Sequence, residues 1–174
     1  MIFPERDKVS GVKKSNLICL ATLAALFCGS TAPAAELATK KALTLEVAKQ
    51  LSAAAESFAA KNKFTMVITI VDDGANVIYL ERMDETQIGS IEVALEKAKS
   101  AVNFKRPTKA FEDTVVGGRN TILKLPGSMP VEGGVPLMVD GKLIGAIGVS
   151  GGTSAQDGQT AAAAVDAFSK IIGK

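Results

Sequence analysis

The chain has 174 residues, with 20 Lys+Arg against 18 Asp+Glu, two cysteines, no histidine and no tryptophan. Without histidine there is no Ser-His-Asp triad, and the usual imidazole ligands of zinc and haem are absent. A net charge of only +2 lacks the footprint of a nucleic-acid binder.

The first segment reads as a leader. Lys13 and Lys14 precede an apolar stretch from Leu17 to Cys28, followed by Ala32-Pro33-Ala34-Ala35. A basic segment, a short apolar core and small residues at an A-x-A-like site are the parts of a secretory signal. The core is about a dozen residues, short of the roughly 20 that span a bilayer. Residues 1–35 are therefore expected to be removed, leaving residues 36–174 as one periplasmic or secreted domain with no stable membrane insertion. Arg6, Lys8, Lys13 and Lys14 outweigh Glu5 and Asp7 by two, so residues 36–174 balance at 16 Lys+Arg and 16 Asp+Glu. Both cysteines, Cys19 and Cys28, leave with the leader. The domain must then hold by packing alone, and its neutrality favours self-association.

Ala42 to Lys61 carries apolar residues three and four apart, which predicts an amphipathic helix with Thr44 as N-cap and Asn62 as a left-handed stop. Phe64 to Glu85 reads as a hairpin turning at Asp73-Gly74-Ala75-Asn76, with Val77 to Arg82 as its second strand. The acids Asp72 and Asp73 are expected to serve that turn. Thr86 to Phe104 returns to helical spacing, with Asp84 as a possible cap, and Pro107 stops it. Another short helix starts near Thr108. Residues 114–134 are rich in Gly and Pro and read as a long irregular loop. Val135–Val139 and Lys142–Val149 form a second hairpin around Asp140-Gly141. A last helix runs from about Ala155 to Ile172. The order α-β-β-α-loop-β-β-α predicts an antiparallel sheet with helices packed on it, an α+β class, and excludes a Rossmann fold.

Acid–base chemistry is left to carboxylates, lysines and Tyr79. Arg82, where the second strand ends, is suited to a carboxylate or to a surface ion pair. The stretch "KAKSAVNFKRPTKAF" sets Lys97, Lys99, Lys105, Arg106 and Lys109 beside Phe104 and Phe111. Cations beside apolar rings suit an amphipathic anion such as a porphyrin with propionates, and equally a solvated helix end. In the loop, Met129 offers a soft thioether and Gly133-Gly134 allow backbone to approach a ligand. "GAIGVSGG" is no dinucleotide fingerprint. Gly145 and Gly148 are expected to admit close packing on a strand, and Gly151-Gly152 to be mainly architectural, with Asp157 supplying charge at the helix start.

Together, "IVDDGANVIYLERMD", "ALEKAKSAVNFKRPT" and "PVEGGVPLMVDGKLIGAIGVSGG" with the following Asp157 resemble the GlcG/HbpS family of haem-binding proteins, over roughly residues 41–172. The resemblance implies a profilin-like layered fold and homo-oligomers. It also implies a haem pocket on the helix holding Lys97, Ser100 and Phe104 and the segment through Thr108, to which Arg82, Met129, Gly133 and Gly134 are added as candidates. Three readings stay open at this point. One is an exported haem-binding protein for storage, transfer or protection. The second is an enzyme, haem-degrading or acting on a small carboxylate. The third is a cofactor-free accessory oligomer that binds a partner protein.

Overall fold

The computed structural model describes residues 34–173. The expected leader, 1–35, falls outside them but for its last two residues. Helix α1 (Leu45–Lys61) begins where Thr44 sits in extended backbone and its hydroxyl accepts the Val47 amide, the predicted cap. Its buried positions, Ala48, Leu51, Ser52, Ala55 and Ala59, recur at helical spacing. The predicted left-handed stop moves by one residue. Asn62 keeps φ −94° and donates its side-chain amide to the Phe58 carbonyl, so the reversal falls on Lys63 at φ 60°. A side chain that satisfies the helix's last carbonyls removes the need for the backbone to turn there.

Strands β1 (Val67–Asp72) and β2 (Val77–Arg82) pair antiparallel. Asp72 organises their turn: one carboxylate oxygen accepts the Gly74 amide at 2.8 Å and the Asn76 amide at 2.9 Å. The Asn76 amide, first among these contacts, holds the Asp72 carboxyl below its usual range.

Helix α2 (Ser90–Phe104) starts four residues later than its periodicity suggests. Thr86 is instead tied down by donating its hydroxyl to the Met66 carbonyl, and Gly89 precedes the helix without a side-chain cap. Lys105 ends it at φ 50°. Helix α3 (Lys109–Val116) and a 3₁₀ turn (Asn120–Lys124) occupy the first half of the stretch read as loop. Strands β3 (Gly134–Val139) and β4 (Lys142–Ser150) follow, joined at Asp140 and Gly141, both with positive φ as a tight hairpin turn needs. Helix α4 (Ser154–Ile171) opens with a capping box between Thr153 and Gln156.

The four strands run β2-β1-β4-β3, every neighbour antiparallel. Helices α1 and α4 cover one face, packing on Ile68, Ile70, Leu137, Ile147 and Val149. Helix α2 covers the other, against Val71 and Ala146. This is the expected α+β layering of helices on an antiparallel sheet.

One detail of the α2 face is testable. Thr69 is fully buried opposite Gly148, and among the described residues its hydroxyl is the one buried side-chain polar atom without a hydrogen-bond partner. An unpaired buried hydroxyl costs free energy that an isosteric methyl does not. Thr69→Val should therefore be neutral or stabilise by about 1 kcal/mol in urea unfolding. A clear loss of stability would mean that the hydroxyl has a partner in solution.

Candidate functional site

The inner face of α2 presents Lys97 and Ser100, both fully buried, and then the half-buried Phe104. The Lys97 ammonium lies 2.6 Å from Asp157 Oδ2 and donates to the Val149 carbonyl at 3.1 Å. Asp157, on the first turn of α4, accepts the Gly152 amide on its other oxygen at 3.0 Å. Burial pushes the Asp157 carboxyl above its ordinary range, against the opposing pull of the Lys97 ammonium. The Gly151-Gly152 turn is thus filled from within: the amide that would greet an outside anion is held by the chain's own carboxylate. Close approach is the reason for glycine at Gly151, where a Cβ would stand 2.1 Å from the Thr65 carbonyl oxygen.

The loop before β3 is fastened to α2 and α3. Ser100 Oγ accepts the Met129 amide at 3.0 Å. Thr108 and Gly134 bond reciprocally: the Gly134 amide donates to Thr108 Oγ1, and the Thr108 amide to the Gly134 carbonyl, both at 2.9 Å. Gly133 has φ 128°, and a Cβ there would lie 2.5 Å from the Val149 carbonyl oxygen and 3.0 Å from Lys97 Nζ. The Glu132 amide donates to the Glu112 carboxylate, which pins the loop to α3 as well. Below this, Phe104 meets Phe111 edge-to-face at 5.1 Å, and the Arg106 guanidinium lies 5.3 Å from the Phe111 ring centre.

The structure therefore gathers Lys97, Ser100, Phe104, Thr108, Met129, Gly133 and Gly134 around one corner, where α2, α3 and the loop meet the start of β3. It does not bring Arg82 there. Arg82 is exposed at the end of β2, the edge strand at the opposite side of the sheet from β3. Nor does Lys97 present an open charge, since its ammonium is committed to Asp157. The sequence reading gave Asp157 only a helix-end role. Its one signal was an isolated acid in the small-residue run that opens the helix. Elsewhere, Tyr79 donates to Glu81, as does Ser52, and burial with the Glu81 charge raises the tyrosine's pKa. Among the described residues no cluster of three His, Cys, Asp or Glu side chains is placed to hold a metal ion, and no helix is long and apolar enough to cross a membrane.

A family model described as "Haem degrading protein HbpS-like" matches residues 43–166, which runs from α1 into α4 and takes in every residue of this corner. The chain belongs to the HbpS-like family. Protein GlcG of Escherichia coli strain K12 is 40% identical over 112 residues, 64% of this chain and 84% of GlcG. The crystal structure of Klebsiella pneumoniae protein ORFY superposes with a TM-score of 0.71 at 34% identity, covering 78% of this chain and 97% of ORFY. The crystal structure of a PduOC–haem complex superposes with a TM-score of 0.67 at 32% identity, covering 73% of this chain and 95% of that one. The layered fold of this HbpS-like chain is the fold of these relatives.

Proposed function

We propose that this protein binds haem, at the corner where α2, α3 and the Met129–Gly134 loop meet, and acts in haem storage, transfer or protection. The observation that carries the reading is the likeness of nearly the whole fold to a protein crystallised with haem, within a family described by haem degradation. The chemistry of the corner is compatible with it. The half-buried Phe104 offers an apolar ring backed by the buried Phe111, and Arg106 is an exposed cation able to meet a propionate, whereas Lys109 is paired with Asp113 at 2.8 Å. With no histidine in the chain, the soft donor here is the Met129 thioether, backed by the hydroxyls of Ser100 and Thr108. Those hydroxyls already accept backbone amides, so they position the loop before they do anything else. Bound haem would supply the redox and oxygen chemistry, and Phe104, Arg106 and Met129 would be the residues that hold it. The reading also takes residues 36–174 as an exported, self-associating domain, supported by the leader-like segment and the neutral charge of the remainder.

Haemin titration followed at the Soret band tests it. A saturable one-to-one shift is expected, with Met129→Ala weakening binding about tenfold or more, the scale of one lost ligand contact. Ser100→Ala and Thr108→Ala should loosen binding less. A shift that never saturates and is the same in all variants would overturn the proposal. The family's description supports a second reading, in which bound haem is broken down. Release of iron in step with loss of the Soret band separates degradation from binding alone.

A further inference from the structure

A second region, at the tips of the two hairpins, is built differently. A cleft of about 310 Å³ lies between the segment Thr39–Lys41 and the base of the β3–β4 turn. It shares Lys41, Val139 and Ile144 with a smaller hollow of about 150 Å³ that Leu43, Val47 and Ile172 line. On its other side it shares Lys40 and Lys142 with an open hollow that reaches Lys105. The floor is apolar, with Val139 and Ile144 nearly fully buried. The rim is cationic. Lys40, Lys41 and Lys142 line it against one carboxylate, Asp140, while Lys105 and Asp73 line the neighbouring open hollow.

Those carboxylates are engaged. Asp73 pairs with Lys40, and Asp140 with Lys41 at 3.1 Å. Lys105 and Lys142 make no ion pair among the described residues, and Lys142 donates only to the Thr39 carbonyl, at 3.3 Å. The balance leaves Lys142 over the apolar floor and Lys105 on the adjoining hollow, in a region 36–174 whose own charges cancel. Two charges of one sign beside low-dielectric walls attract an anion, and an adjoining apolar hollow rewards an anion that carries a tail.

We propose that this cleft binds a small monocarboxylate with an apolar tail, its head on Lys142 and its tail against Val139, Ile144 and Leu43, with the Lys105 charge on the adjoining hollow adding to the attraction. A phosphate would satisfy the rim and leave the floor unused, whereas a neutral apolar molecule would leave the lysines unanswered. The site is separate from the corner proposed for haem: it shares no residue with it and lies at the far end of strand β3.

Isothermal titration of the full chain with octanoate, butyrate, acetate and inorganic phosphate is the test. Octanoate is expected to bind saturably, butyrate more weakly, and acetate and phosphate not measurably. Lys142→Gln should weaken octanoate about tenfold, as loss of one charge-assisted contact does, while Lys142→Arg retains most of the affinity. Thermal melting of each variant verifies that it is folded. Phosphate or acetate binding as well as octanoate would overturn the proposal, because the apolar floor would then be idle. So would octanoate binding that is indifferent to Lys142→Gln. Haemin at saturation should leave the octanoate isotherm unchanged, and competition between the two would overturn a separate site without touching the haem reading.

Discussion

Replacing Lys97 by methionine alone should destabilise the protein by about 3–5 kcal/mol, the scale of breaking a buried ion pair by removing one partner. The side chains of Lys97 and Asp157 are 1% and 3% exposed, so the surviving carboxylate would have no water to turn to. Asp157→Asn should cost a similar amount for the mirror reason: the ammonium would stay buried with only the Val149 carbonyl as partner. Lys97→Met combined with Asp157→Asn removes both charges, and the asparagine can still accept the Gly152 amide. The double variant should be more stable than the sum of the single losses by roughly 2 kcal/mol, within the range found for residues in direct contact. Urea unfolding of the four proteins measures this coupling, and strict additivity would mean that the two groups do not meet in solution.

The pair also carries a pH signature. Burial raises the Asp157 carboxyl above its ordinary value of 3.8, so between 3.8 and the raised value the native state binds more protons here than the unfolded chain does. Stability contributed by this group therefore rises as pH falls through that interval and is lost as pH climbs above it. Wild type should gain on Asp157→Asn as the buffer is taken from neutrality toward pH 4. The reverse trend would show that Lys97, not burial, sets the proton affinity of the carboxyl.

This pair also marks where the sequence stops being readable. Helix α1 and the first hairpin follow from local rules: apolar residues at helical spacing, a threonine at the cap, a β-branched run ending in Asp-Asp-Gly. The Asp140-Gly141 hairpin is equally local. What decides the start of α2 is not local, because Thr86 continues the helical spacing yet spends its hydroxyl on the Met66 carbonyl, twenty residues away. Lys97 and Asp157 are sixty residues apart, and nothing in either neighbourhood names the other. Lysine beside aromatic rings reads as a ligand contact when the buried acid cannot be seen. Met129, Gly133 and Gly134 stood out by residue type, but Ser100 and Thr108, and the joining of all five into one corner, were reachable only through family likeness. The reciprocal bonds that assemble it, such as Thr108 with Gly134, have no sequence spacing of their own. Arg82 shows the converse: its place at the end of a strand was legible, but which end of the sheet that strand occupies was not.

Gly148→Ala should be as damaging as the loss of Lys97, although it adds one methyl group. A Cβ at Gly148 would stand 2.0 Å from the Ala94 carbonyl oxygen, 2.7 Å from the Ala98 nitrogen and 2.9 Å from the Ala98 Cβ. These are mostly backbone atoms of a helix interior, which cannot rotate aside as a side-chain end can. The only relief is to lift α2 from β4. Overpacking of this kind costs about 3 kcal/mol or more when backbone must move. Lifting α2 would also strain Lys97 against Asp157 and Ser100 against the Met129 amide, so weaker haemin binding should accompany the lower stability. Gly89→Ala is the matched comparison: nothing lies within 4 Å of its added Cβ and its φ of −59° suits any residue. That variant should be neutral or stabilise by about 0.5 kcal/mol through the unfolded chain. Urea unfolding with hydrogen exchange at the α2 amides distinguishes the two. If Gly148→Ala held within about 1 kcal/mol of wild type, inside the ordinary range of a single substitution, then α2 would not rest on β4 in solution. The corner that α2 builds with the Met129–Gly134 loop would then lose its support.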